Sequence, residues 1–248
     1  MNNPFSLVNK VILITGASSG IGKSTAIECS KMGAQLIITG RNVKRLNDTY
    51  KSLHGDNHKQ VSTDLSKDEG IDYLIENLPK LDGIVHVAGI VKPKPFQFLN
   101  RKELDEIMDT NFYAPILLTN LMLRKKIIKK FASIVFVSSI SGVVCSYIGG
   151  STYSASKGAV NGIIKAMALD LAPKKIKVNS ILPGMIDTGI LKDSGITQED
   201  LDADVKRYPL GRYGKPEEVA FATIYLLSDA SAWVTGSNLL IDGGYTLT

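Results

Sequence analysis

The chain has 248 residues, 44% of them hydrophobic and 21% charged, with a formal net charge of +5. That is ordinary globular composition, long enough to bury a continuous core. Cys29 and Cys145 lie far apart, and His54, His58 and His86 show no helical ligand spacing, so neither a disulfide framework nor a metal site is expected, and the setting reads as reducing and cytoplasmic. No run approaches the ~20 apolar residues of a membrane span, and Met1–Lys10 lacks a signal-peptide pattern. The lysines are mostly dispersed, which argues against a nucleic-acid surface while still favouring an anionic cofactor.

Taken in chain order, short apolar runs alternate with helical stretches. Val11–Thr15 is the first strand candidate, and it passes through Thr15-Gly16-Ala17-Ser18-Ser19-Gly20-Ile21-Gly22 into a helix predicted over Gly20–Met32. Glycine permits torsions and close approaches that a Cβ forbids. A helix N-terminus offers unpaired N–H groups and partial positive charge to a pyrophosphate. The order strand, glycine loop, helix therefore makes Gly16, Ser18, Ser19, Gly20, Ile21 and Gly22 a candidate phosphate cradle; a tight turn is the plain reading. The second strand, Gln35–Thr39, runs into Gly40-Arg41-Asn42 and a helix over Val43–Leu53. An acid at this strand end would grip the ribose diol of NAD and repel a 2′-phosphate. None is present. Gly40 leaves room, and Arg41, with Asn42 beside it and a hydroxyl from Ser18, can take a phosphate, so NADP(H) is expected. The rival reading is an arginine that merely opens the next helix.

Gln60–Thr63 is the third strand, and Asp64 after it is placed to cap a helix. Gly83–Val87 is the fourth, ending in His86-Val87-Ala88-Gly89, with His86 read as a hydrogen-bonded structural residue. A long helix is predicted over Arg101–Arg124, and the basic run Arg124–Lys130 reads as its solvated end. The fifth strand, Ser133–Ser138, leads to Ser139 and Ser141. The helix Thr152–Leu171 opens with Tyr153-Ser154-Ala155-Ser156-Lys157, a phenol and an ammonium on one face. A free tyrosine titrates near ~10, and a neighbouring lysine is expected to lower that value. Lys177–Leu182 is followed by Pro183-Gly184-Met185-Ile186-Asp187-Thr188, and the polar segment 189–212 reads either as a flap over a site or as a surface helix. A helix over Pro216–Leu227, with its proline first and two acids next, precedes the last strand, Asn238–Ile241. Strands apolar on both faces, alternating with helices, predict an α/β fold: one Rossmann-type domain spanning 1–248, a doubly wound, seven-stranded parallel sheet with helices on both faces. Ligands then bind beyond the carboxyl ends of the strands.

The G-x-x-x-G-x-G loop, the Tyr–Lys pair, Asn111 and the Asp242-Gly243-Gly244 segment together resemble the short-chain dehydrogenase/reductase family, in its short branch, over nearly the whole chain. That resemblance implies hydride transfer to a carbonyl or from an alcohol, with general carbonyl reductases and 3-oxoacyl-thioester reductases the most similar members. It implies catalytic roles for Asn111, Ser139, Tyr153 and Lys157: a water-holding asparagine, a serine on the substrate oxygen, a proton-transferring phenol, and a lysine that also meets the nicotinamide ribose. It further implies Asp64 and Leu65 at the adenine, Ala88 and Gly89 at the ribose, Ile186 and Thr188 at the carboxamide, and a homotetramer. Two departures stand out. His86-Val87 replaces the family's paired asparagines, and counting back from the tyrosine by the family's usual interval lands on Ile140. The Ser139-Ile140-Ser141-Gly142 turn points instead to Ser139, with one extra residue in the following loop; Ser141 and Ser138 remain competitors. Other readings are a cofactor-binding regulatory module without turnover, a polyol, sugar or steroid alcohol dehydrogenase, a methyltransferase, which would prefer an acid closing strand two, and a sugar-nucleotide epimerase, which would carry a longer C-terminal portion.

Overall fold

A computed structural model describes residues 3–188 and 197–247. Seven strands form one sheet: β1 (Val11–Thr15), β2 (Gln35–Gly40), β3 (Lys59–Ser62), β4 (Leu81–His86), β5 (Ile128–Val137), β6 (Lys177–Pro183) and β7 (Asn238–Ile241). Every pairing is parallel, in the order β3-β2-β1-β4-β5-β6-β7. The order reverses between β1 and β4, so the connections leaving these two strands diverge and open a crevice at their carboxyl ends.

Side chains alternate along each strand, and this sorts the core into two layers. On one face Leu13, Ile37, Ile84, Ile134 and Val178 pack against helices α3 (Asp68–Glu76), α5 (Ala114–Arg124) and α6 (Ser151–Leu171), through residues such as Leu74, Leu118 and Ile164. On the other, Ile12, Ile14, Ile38, Val85, Val135 and Ile181 meet α1 (Gly20–Lys31), α2 (Val43–Lys51) and α8 (Pro216–Leu227), through Ala26, Leu46 and Ile224. Burial on both faces explains why these strands read as continuous apolar runs.

The structure departs from the sequence reading in two places. The helix expected over Arg101–Arg124 is two helices, α4 (Arg101–Met108) and α5, joined by a π-helical turn over Asp109–Tyr113. The basic run after α5 is not a solvated helix end throughout: β5 begins at Ile128, and Ile127 and Ile128 are buried. Within 189–212, residues 189–196 lie outside the described residues, while α7 (Gln198–Val205) is a short helix started by the Thr197 hydroxyl, which accepts from Asp200 N–H at 3.2 Å. Among the described residues, no helix is long and apolar enough to cross a membrane.

Candidate active site

The glycine loop between β1 and α1 is shaped by contacts that exclude side chains. A Cβ on Gly22 would fall 2.2 Å from the Gly16 carbonyl oxygen, and one on Gly16, at φ +68°, would fall 2.7 Å from the Ala88 backbone. The loop is thus folded tightly against the β4 end. The Thr15 hydroxyl holds the same junction, accepting from the N–H groups of Val87 at 3.1 Å and Ala88 at 3.2 Å. The first turn of α1 contains no acid, and its leading N–H groups have no intrahelical acceptor, leaving an electropositive helix end at the crevice.

Gly16, Ser18, Ser19, Gly20, Ile21, Gly22, Arg41, Asn42, Asp64, Leu65, Ala88, Gly89 and Thr188 line one cleft of about 450 Å³. Gly40 lies so close to Ser18 that a Cβ there would meet its side chain at 3.2 Å. Arg45, which the sequence reading missed, lines the cleft too, from the first turn of α2. The side chain of Asn42 is committed elsewhere: its Oδ1 accepts from Arg45 N–H at 2.9 Å and caps α2. Asp64 likewise accepts from the N–H and hydroxyl of Ser66, at 3.1 and 2.9 Å, closing the turn before α3. A cradle that cannot admit side chains, a helix N-terminus without acids, and two arginines at the β2 end fit a dinucleotide bearing an additional phosphate.

Lys157 is buried, and its Nζ donates to the Val137 carbonyl oxygen at 2.8 Å. Burial lowers its pKa to about 8. Asn111 sits in the π turn; its Oδ1 accepts from Ile90 N–H at 2.8 Å, and its Nδ2 donates to Ile90 O at 2.9 Å and Ser156 Oγ at 3.0 Å. Both Nδ2 hydrogens are therefore spent, one on the β4–α4 connection and one on α6. A Cβ on Gly89 would lie 3.3 Å from Asn111 Oδ1 and 3.7 Å from Lys157 Nζ. The cleft's far end thus meets the helix that carries the Tyr–Lys pair.

The Tyr153 phenol is raised to about 12 by burial, opposed by a hydrogen bond with the Ser139 side chain. The expected lowering does not occur in the chain alone. Lys157 Nζ lies 5.7 Å from the ring centroid and is held by Val137, so its charge does not offset desolvation. Ser139 also accepts from Ser141 N–H at 3.0 Å. Ser138 turns into the protein, accepting from Asn161 Nδ2 at 2.6 Å and donating to Lys157 O at 3.3 Å. A Cβ on Gly142 would strike the Ser154 carbonyl oxygen at 2.0 Å, so this glycine docks the serine turn onto the start of α6.

His86 also lines the cleft, yet its ring is stacked on Phe136 and bonded at 2.8 Å to the Thr119 hydroxyl. That hydroxyl donates to Pro115 O, so the ring must donate from Nε2. Burial lowers its pKa to about 3. Ile186 forms a parallel bridge with Gly214 in which Met185 and Asp187 supply the bonds, leaving the N–H and C=O of Ile186 directed away from Gly214. Among the described residues, no group of His, Cys, Asp or Glu is arranged to hold a metal ion.

A doubly wound sheet with a nucleotide cradle at its switch point and a Tyr–Lys pair, half-buried and buried, on the adjoining helix defines a nucleotide-dependent oxidoreductase frame. A family profile described as Enoyl-(Acyl carrier protein) reductase matches residues 16–246. A 3-oxoacyl-(acyl-carrier-protein) reductase of Rickettsia prowazekii is 33% identical over 238 residues, covering 96% of this chain and 97% of its own. Dehydrogenase/reductase SDR family member 6 of Rattus norvegicus is 32% identical over 248 residues, covering 97% and 99%. A solved chain of Agrobacterium tumefaciens, provisionally named a 2-deoxy-D-gluconate 3-dehydrogenase and holding NADP, superposes with TM-score 0.88 at 28% identity over all of both chains. The chain belongs to the short-chain dehydrogenase/reductase family of oxidoreductases.

Proposed function

We propose that this oxidoreductase uses NADP(H) and interconverts a small carbonyl compound and its alcohol, with 3-oxoacyl thioesters among the first substrates to test. The observation that carries the reading is that Lys157 Nζ reaches the Gly89 end of the nucleotide cleft and lies 5.7 Å from the ring centroid of Tyr153 on the same helix. When bound, the nicotinamide supplies or takes up the hydride. Ser139 orients the substrate oxygen, and Tyr153 donates the proton in reduction or accepts it in oxidation. Lys157 holds the ribose, Asn111 fixes the β4–α4 connection against α6, and Ile186 and Thr188 meet the carboxamide. The cradle Gly16–Gly22 takes the pyrophosphate, Asp64 and Leu65 flank the adenine, and Arg41 with Arg45 takes the 2′-phosphate. Exposed Tyr113 at the end of the π turn, Leu117 on α5 and Leu169 on α6 support association of copies, the tetramer the resemblance implies, in a cytoplasmic setting.

Binding titrations with NADPH and NADH test the cofactor. A charge-assisted phosphate contact gives NADPH an advantage of about tenfold or more. Arg41→Ala should remove most of it, and Arg45→Ala part. Equal affinities in the unaltered protein would overturn the assignment. A panel of ketones, acyl thioesters and polyols, assayed with NADPH, separates the substrate classes.

A further inference from the structure

A second open cleft of about 770 Å³ lies against the loop that leads from β5 into α6, the helix bearing Tyr153. One wall is the β5–α6 loop, through Cys145 and Ser146; the other is Lys206 and Arg207, with Tyr245 and Thr246 from the C-terminal turn. The loop wall is tied to the reacting helix, since Ser146 Oγ lies 2.8 Å from Ser154 Oγ, next to Tyr153. The cationic wall is tied to the segment after β6, since Tyr208, adjacent to Arg207, accepts Met185 N–H at 3.1 Å on its hydroxyl. Gly243 and Gly244, at φ +62° and +86°, let this wall pack on the end of the chain. Leu210 N–H donates to Gly243 O at 3.2 Å, and a Cβ on Gly244 would meet Pro209 at 2.9 Å.

The charged residues that line the cleft are both cations, Lys206 and Arg207. Arg207 lies 4.6 Å over the Tyr245 ring and gives one donor to Asp204 at 3.3 Å; a guanidinium has five N–H donors. Asp204 also accepts from the Tyr213 hydroxyl at 3.0 Å. Asp242, the other nearby acid, keeps its charge but is turned to the C-terminal turn, accepting from Gly244 N–H, Thr246 N–H and the Thr246 hydroxyl at 3.0, 2.9 and 2.7 Å, and it does not line the cleft. Lys206 makes no ion pair among the described residues. Two cations on exposed side chains thus meet a serine hydroxyl across a cleft whose loop wall is bonded to Ser154, the residue after Tyr153.

We propose that this cleft holds the free carboxylate of the carbonyl substrate, so that the enzyme prefers oxo acids to neutral ketones. The inference rests on the hydride-transfer reading above and narrows its substrate class. Arg207 presents a planar fork suited to a carboxylate, Lys206 adds a point charge, and Ser146 a hydroxyl.

Cys145 is a built-in reporter, because it lines the cleft while Cys29 is buried. Its alkylation by iodoacetate and iodoacetamide is compared with that of a cysteine peptide, so that thiolate content cancels in the ratio. The anionic reagent should be favoured several-fold at Cys145, and Lys206→Met with Arg207→Met should bring the ratio back to the peptide's. With NADPH present, 5-oxohexanoate should protect Cys145 and its methyl ester should not. In turnover, the acid should exceed the ester in kcat/KM by about tenfold, and the double variant should lose that preference. The comparisons on the unaltered protein stand even if the variant folds poorly. Equal rates on acid and ester with no protection of Cys145 would overturn the proposal while leaving hydride transfer intact. Protection without reduction of any oxo acid would support the carboxylate site and remove the hydride-transfer reading.

Discussion

Three serines stand within four positions of one another, and their hydroxyls do different things. Ser138 is bonded to Asn161 and Lys157 inside the protein, Ser139 is bonded to Tyr153, and Ser141 receives support from Ser139 through its backbone. Alanine substitutions measured side by side should therefore separate. Ser139→Ala should be the most damaging to turnover with little effect on NADPH affinity, because its bond strengthens as charge develops on the substrate oxygen. Ser138→Ala should instead lower thermal stability. A greater loss of turnover from Ser141→Ala would show the loop to be aligned wrongly. His86 gives a second residue-scale prediction. Its folded pKa, about 3, lies below the ordinary 6.5, so the unfolded chain binds a proton that the folded chain refuses. Its stabilising contribution is complete above pH 6.5 and is lost as pH falls toward 3. Between pH 6.5 and 5 that amounts to about 2 kcal/mol, or roughly 4–8 °C in Tm for a chain of this size. Calorimetry on His86→Asn should show a flatter slope in this window, which lies above the range where the depressed carboxyls of Glu218 and Asp242 titrate.

At the scale of elements, the C-terminal end of α8 is closed by lysines from elsewhere in the chain. Lys177 Nζ lies 3.1 Å from both Leu226 O and Ser228 O and 2.6 Å from Ser231 Oγ, while Lys10 pairs with Asp229 at 2.7 Å. These acceptors include carbonyls that a helix end leaves unpaired, and a cation there also favours the helix dipole. Lys177→Met should cost about 1.5–3 kcal/mol, the range for a hydrogen-bonded charge, and lower Tm by roughly 3–12 °C. An unchanged Tm would contradict this role. This contact was not legible in the sequence, because it joins residues about fifty positions apart. The alternation of strands and helices was legible, since burial on both faces leaves continuous apolar runs such as Val11–Thr15. The π turn at Asn111 was signalled only by Pro115, which has no N–H for the Asn111 carbonyl and so cannot sit inside one unbroken helix, while its place is fixed by tertiary bonds to Ile90 and Ser156. The start of β5 was obscured by lysines that stay exposed on either side of buried Ile127 and Ile128. Within the site, glycine and Tyr–Lys spacings were readable, whereas the diversion of Asn42 into a helix cap and the raised Tyr153 pKa depend on the folded surroundings.

For the whole molecule, the sheet order places the nucleotide cradle and the Tyr–Lys helix around one crevice. The β1 and β4 ends supply Gly16, Ala88 and Gly89, and β5 leads to Ser139 and the helix bearing Tyr153. Two core layers hold this frame from opposite sides, so a single oxygen can be removed from the site with little disturbance of the fold. If the Tyr153 phenol transfers the proton, the rest of the crevice should bind cofactor without it. The most direct measurement is single-turnover NADPH oxidation by Tyr153→Phe, with NADPH affinity titrated on the same sample. The account predicts a rate lowered by ~10²–10⁴ with affinity nearly unchanged; a variant that keeps a large share of the rate would contradict it.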